Sequence, residues 1–209
     1  MTINISNCTF IKKSKIMKKI SLIISAISFF IFSSAAQEAG PVDQAAMEKA
    51  WQTYMTPGDV HKMLAKSDGE WTEDITMWMA PGAPAQKSTA TVVNKMVLGG
   101  RYQQSIHKGT IMGQPFEGMG TVGYDNSKKM FVSSWVDNMG TGLMYMEGPW
   151  DDATKTITMK GKQTDPVTGK DMEMKQTVKI IDDNTQQFEM FTIQNGKESK
   201  TMEINLKKK

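Results

Sequence analysis

Two periods of apolar spacing divide this chain. Met47, Ala50, Trp51, Tyr54 and Met55 recur at offsets 0, 3, 4, 7 and 8, the one-face pattern of an amphipathic helix. Asp43 suits its N-cap and Pro57-Gly58 stops it. Thr56-Pro57-Gly58-Asp59 then reads as a second helix start, with a hydroxyl cap, a proline at the first position and a carboxylate three residues after the cap. This helix is predicted to run to about Lys66 and to end at Gly69.

From Glu70 onward the period becomes two. Trp71, Ile75, Met77 and Met79 share one face, with Thr72, Asp74 and Thr76 on the other. Met172, Met174, Val178 and Ile180 alternate with Asp171, Glu173, Lys175 and Lys179, and Met202, Ile204 and Leu206 with Thr201, Glu203 and Asn205. Turn residues interrupt at Gly99-Gly100, Asp125-Asn126, Asp137-Asn138, Asp165-Pro166 and Asp182-Asp183-Asn184, and Asn195-Gly196 is the strongest hairpin signal. About ten strands follow, with no helical segment between them long enough for a parallel crossover. The expectation is a mainly β chain: a single antiparallel up-and-down barrel preceded by two short helices. Closure removes the exposed edges that an open sheet would leave.

The N-terminal region follows a different logic. Met17-Lys18-Lys19, an apolar run over 20–32 and the small-residue exit Ser33-Ser34-Ala35-Ala36-Gln37 have the form of a secretory signal peptide. The run is too short for a permanent membrane span. The expected organisation is upstream residues and a cleaved leader over 1–36 (start at Met17), a linker over 37–45 and a barrel domain over 46–209. Export to the periplasm or the medium follows. Five of the 25 basic residues and none of the 22 acidic ones precede Gln37, so the exported chain would carry a net charge of −2. With one arginine, Arg101, it has no electrostatic footprint for nucleic acid. The only cysteine, Cys8, also falls in the leader, leaving the domain to rely on its own core.

Gly69-Glu70-Trp71, at the end of a helix and the start of a strand, resembles the glycine-x-tryptophan signature of lipocalin-type barrels. That resemblance implies that Trp71 closes the narrow end beneath a basic residue of the last strand, a role for which Lys207 is best placed. Further segments appear in order: Met77-Trp78-Met79-Ala80-Pro81-Gly82, Leu98-Gly99-Gly100-Arg101-Tyr102, Pro115-Phe116-Glu117-Gly118, Gly123-Tyr124-Asp125-Asn126 and Trp135-Val136-Asp137-Asn138-Met139-Gly140-Thr141-Gly142, with Lys197-Glu198 near the end. Together they resemble the bacterial lipocalin-like family known as domain of unknown function 1579, from about Met47 to Lys207. The resemblance implies the fold and brings no activity with it. The leader departs from the usual picture of a cytoplasmic member.

The chemistry is sparse. His61 and His107 are the only histidines, and neither a nucleophile elbow, a phosphate loop nor a zinc spacing is present. No catalytic residue, metal or cofactor is assigned. His61 is expected to make a capping or surface contact; His107 lies mid-strand beside Lys108. Glu117 either turns inward to pair with Arg101, giving a cavity a polar floor, or is an outward charge. Asp137 opens a glycine-rich turn. Methionine fills 17 of the 173 positions after residue 36, including the pairs Met77/Met79, Met144/Met146 and Met172/Met174. Thioethers suit Cu(I), but they also line adaptable apolar interiors.

The leading expectation is an exported binding protein for a small apolar or amphipathic molecule, with Arg101, Tyr102, Glu117, Tyr124, Trp135, Asp137 and Met139 at the cavity or its mouth. Copper handling by the methionine pairs, and a hydrolase-like enzyme using Glu117 or Asp137 as base, are the alternatives.

Overall fold

The computed structural model describes residues 43–209; the leader, the Met17 start, Cys8 and the cleavage site after Ala36 lie outside the described residues. Two short helices, α1 (Gln44–Met55) and α2 (Asp59–Ala65), lead into eleven strands. These are β1 (Gly69–Met77), β2 (Gln86–Val97), β3 (Tyr102–Ile111), β4 (Gln114–Asp125), β5 (Met130–Asp137), β6 (Met144–Gly148), β7 (Trp150–Asp151), β8 (Thr156–Thr164), β9 (Asp171–Asp182), β10 (Thr185–Gln194) and β11 (Lys197–Lys208). Every pairing is antiparallel, β1 pairs with β11, and β6 pairs with β8 to close the ring. Ten strands therefore form a closed barrel of lipocalin-like type, and β7 adds a two-residue extra strand beside β8.

The period-two pattern sets what faces inward. Trp71, Glu73 and Ile75 on β1 are buried while Thr72 and Asp74 are exposed. The largest core cluster joins Leu64 of α2 to Phe131, Met146, Ile157, Met159, Met174 and Met190, with Val60, Met63, Met96, Tyr124 and Met144 packed against it. Two smaller clusters continue along the interior: Trp71, Val92 and Leu206, then Ile75, Ala90 and Ile111. Unbranched thioether side chains make up much of this interior, where they adapt to irregular gaps.

The α2 end is the closed end. Leu64 and His61 are buried there, and the residues after α2 are held by side chains from the barrel. Gln103 donates to the Leu64 carbonyl at 2.7 Å, Asn94 to that of Ser67 at 3.2 Å, and Asp68 accepts from Met96 N–H at 3.0 Å. The Gln103 bond reaches a carbonyl in the last turn of α2, where intrahelical partners run out, and the other two tie the connection after α2 to β2.

Three local expectations change. Thr56 does not cap α2: its hydroxyl donates back to the Gln52 carbonyl, and the N-cap is Gly58, whose N–H donates to Nδ1 of His61 at 3.0 Å. Gly69 opens β1 rather than trailing a longer helix. Met79 lies beyond the end of β1 and is exposed, because Pro81 and Pro84 leave the 78–85 segment unable to continue the ladder.

No residue of α1 is buried, unlike α2 and the ten strands of the barrel. Asp43 caps its N-terminus through Ala45 N–H, as its sequence suggests. Its C-terminal carbonyls are held from the barrel: Arg101 donates to Met55, and Asn126 donates to Thr53, Tyr54 and Thr56.

Candidate functional site

At the closed end, Trp71 is fully buried and its Nε1 donates to the Ser67 carbonyl at 2.9 Å. The basic residue over its ring is Lys208, with Nζ 5.5 Å from the ring centroid and donating to the Lys66 carbonyl at 2.9 Å. Lys207 is exposed and points out of the barrel. Alternation decides this: Trp71 pairs with Lys208, and Leu206 and Lys208 share the inner face.

The other proposed site residues scatter. Arg101 sits at the closed end as a cap for α1, donating also to the Leu98 carbonyl. Tyr102 lies on the outer face, across Gly123. Tyr124 points inward at the closed end, edge-on to Phe131 and His61. Glu117 takes the outward option: it is exposed and pairs with Lys108 at 3.3 Å, far from any inward partnership with Arg101. Met139 is exposed on the β5–β6 loop at the open end.

Trp135 and Asp137 remain, and they stand beside two residues outside the expected set. Inside the barrel, Glu73 is 2% exposed, and Nδ1 of His107 lies 3.0 and 3.1 Å from its two carboxylate oxygens. Glu73 pairs across β2 with Ala90, and Ala90 with Gly109, so small residues leave the space through which the two long side chains meet. The His107 ring is edge-on to Trp135 at 4.9 Å, and Trp135 is stacked with Phe116 at 6.4 Å. The indole lies flat on β4 because that strand has no side chain at Gly118 and Gly120. A methyl group at Gly118 would stand 2.5 Å from Cζ2 of Trp135. Trp135 Nε1 donates to Asp137 at 2.7 Å, and the other Asp137 oxygen accepts from Met139 N–H.

The chemistry of this group follows from its bonds. Glu73 accepts from His107 Nδ1–H, which leaves Nε2 as the free lone pair in the neutral ring. Among the described residues Nε2 has no hydrogen-bond partner. Ser88, two residues before Ala90 and on the same face of β2, has a buried hydroxyl likewise without a partner among the described residues. A cleft of about 840 Å³ runs nearby over β1–β3, but its exposed lining, Thr72, Asp74, Thr89, Thr91 and Lys108, belongs to the outer face.

His61 is the capping residue the sequence suggests. Burial holds its ring below the usual histidine range, a backbone hydrogen bond with Tyr124 opposes this, and the Arg101 charge reinforces it. Of the methionine pairs, Met144/Met146 and Met172/Met174 lie in the main cluster, whereas exposed Met79 is separated from Met77. No group of three or more His, Cys, Asp or Glu able to hold a metal occurs among the described residues.

Glu73 had a signal in the sequence. It falls at period two between Trp71 and Ile75, an acid on an otherwise apolar strand face, which requires a buried partner. His107 was visible as a residue but not as that partner, because their meeting depends on the register of three strands.

Comparison with known proteins supports the fold. The family model described as protein of unknown function (DUF1579) matches residues 56–208. The crystal structure of Rv2717c from M. tuberculosis is similar with a TM-score of 0.56 at 12% identity, over 74% of this chain and 99% of that one. At that identity the likeness concerns the barrel alone. No curated protein matches the chain.

Proposed function

The chain belongs to the DUF1579 family, and from that premise and the barrel interior we propose that it is a binding protein for a small, mostly apolar molecule. The ligand sits against Trp135 and Phe116 and presents a hydrogen-bond donor to Nε2 of His107. The observation that carries this reading is the Glu73–His107 pair: a buried carboxylate fixes the imidazole and turns its unpartnered nitrogen to the interior. A carboxylate buried in an apolar interior seldom adds stability over apolar packing, so one maintained here calls for another role. The partnerless Ser88 hydroxyl is a second polar group available to a guest. The leader-like pattern before Gln37 supports a role outside the cytoplasm; N-terminal sequencing of exported protein is then expected to begin at Gln37.

Native mass spectrometry of the protein recovered from its own host tests the reading. A non-covalent mass increment is expected, lost in His107→Ala and in Trp135→Ala while both variants remain folded. A bare native mass, with no apolar or amphipathic compound raising the melting temperature, overturns it.

A further inference from the structure

Resting on the binding reading above, we propose that the guest of this interior is an organic cation: an apolar amine whose ammonium lies over Trp135, between Asp137 and His107. His107 and Asp137 stand in one cross-strand row, His107 pairing with Gly118 of β4 and Gly118 with Asp137 of β5. Neighbouring strands lie about 4.8 Å apart, so the two backbones are roughly 10 Å from each other, with no side chain on the strand between them. The indole of Trp135 covers that gap, with Cζ2 lying 2.5 Å from where a Gly118 methyl group would stand. It meets the His107 ring at 4.9 Å between centroids, and its Nε1 donates to Asp137 at 2.7 Å. Phe116 extends this floor, at 20° to the indole plane. His107, Phe116 and Trp135 face inward yet are only half-buried, as are the inward Met144, Met172 and Met202. This part of the interior is therefore open rather than packed solid.

The polar groups at the two ends of the row are both acceptors. Asp137 receives N–H groups from Trp135 and Met139, which fill two of its roughly four lone-pair sites and bring no compensating charge. Among the described residues it forms no ion pair. Nε2 of His107 carries a lone pair because Nδ1–H is given to Glu73.

The surrounding walls supply no cation. Lys208 is held over Trp71 at the closed end, and Lys197 lies at the tip of the β10–β11 hairpin. Apart from these, the inward positions of the ten barrel strands hold two carboxylates, Glu73 and Asp137, and no lysine or arginine. The outward faces of the same strands carry Lys95, Lys108, Lys160, Lys175 and Lys200, so the lack of cations belongs to the interior. A carboxylate or phosphate guest would set acceptor against acceptor and lose its hydration without compensation. A primary ammonium brings three donors and a positive charge, which an indole face also attracts. An alcohol brings one donor and no charge.

Isothermal titration calorimetry of the full chain with octylamine, octan-1-ol and octanoate, near neutral pH, varies the head group on one apolar tail. Octylamine is expected to bind about tenfold more tightly than octan-1-ol, and octanoate more weakly than either. Asp137→Asn is expected to keep octan-1-ol binding and bring octylamine to within about twofold of it. Glu117→Gln, on the outer face, leaves the preference intact, which separates an interior cation site from attraction to surface carboxylates. Octan-1-ol bound as tightly as octylamine, octanoate bound as tightly as octan-1-ol, or a preference that survives Asp137→Asn overturns the cation and leaves the binding reading in place. The ranking in the parent protein decides the matter by itself where Asp137→Asn fails to fold. Absence of binding by all three compounds overturns both.

Discussion

Glu73 and His107 meet inside the barrel across the width of β2, with the histidine Nδ1 within 3.1 Å of both carboxylate oxygens. Their strands are not neighbours, and the contact exists because Ala90 and Gly109 between them are small. Removing one partner leaves the other buried and unpaired. His107→Leu is therefore expected to cost about 3–5 kcal/mol, and the double replacement Glu73→Met with His107→Leu clearly less. Urea unfolding of the two single variants and the double measures this; a double variant as unstable as the sum of the singles would show the pair to be uncoupled.

The flat seat of Trp135 gives a second expectation. Gly118→Ala puts a methyl group into the indole, and overpacking of this kind costs about 1–3 kcal/mol. The indole must tilt off β4, altering its hydrogen bond to Asp137 and its near-ultraviolet dichroism. An unchanged spectrum and stability would mean that the ring does not rest on Gly118.

At the closed end the two lysines beside each other in sequence are expected to behave differently. Lys208→Ala loses a cation over the buried Trp71 ring and a hydrogen bond to the Lys66 carbonyl, together about 1–2 kcal/mol. Lys207→Ala, on the exposed face, stays within about 0.5 kcal/mol of the parent. Thermal melts of the two variants decide it, and equal effects would contradict the inward and outward assignment.

His61 makes a pH-dependent contribution whose sign follows from its lowered folded-state value. Its Nδ1 accepts from Gly58 N–H, so the folded state holds the ring neutral while the unfolded chain protonates it from its ordinary value of 6.5 downward. The unfolded state binds more protons in that window, so stability is full above pH 6.5 and declines as the pH falls below it. The difference in denaturation midpoint between the parent and His61→Asn, measured from pH 8 to pH 5, is expected to narrow toward acid. A difference constant with pH would rule out this role.

Much of this architecture is legible in the residues themselves. The offsets of Met47, Trp51 and Met55 mark α1, the alternation after Glu70 marks strands, and Asn195-Gly196 forms the left-handed turn its composition implies. Gly-x-Trp correctly locates the buried Trp71. The candidate site was harder to read. Trp135 and Asp137 were within reach because they sit in a conspicuous aromatic and glycine-rich segment, yet Arg101, Tyr102 and Glu117 share such segments and lie elsewhere. An aromatic or charged residue near a turn has no sidedness until the strand register assigns one.

The sequence alone determined the class of structure, because periods of 3.6 and 2 are local consequences of backbone geometry and can be read one segment at a time. It also determined which positions along each strand share a face. Only the tertiary structure decided which faces meet. Closure of β6 on β8 turns one face of every strand into an interior. Pairing of β1, β2 and β3 brings Glu73 to His107, and a register in which Leu206 and Lys208 face inward selects Lys208 rather than Lys207. A shift of one residue in any of these pairings would exchange inside for outside, and that choice is made by the packing of the whole barrel.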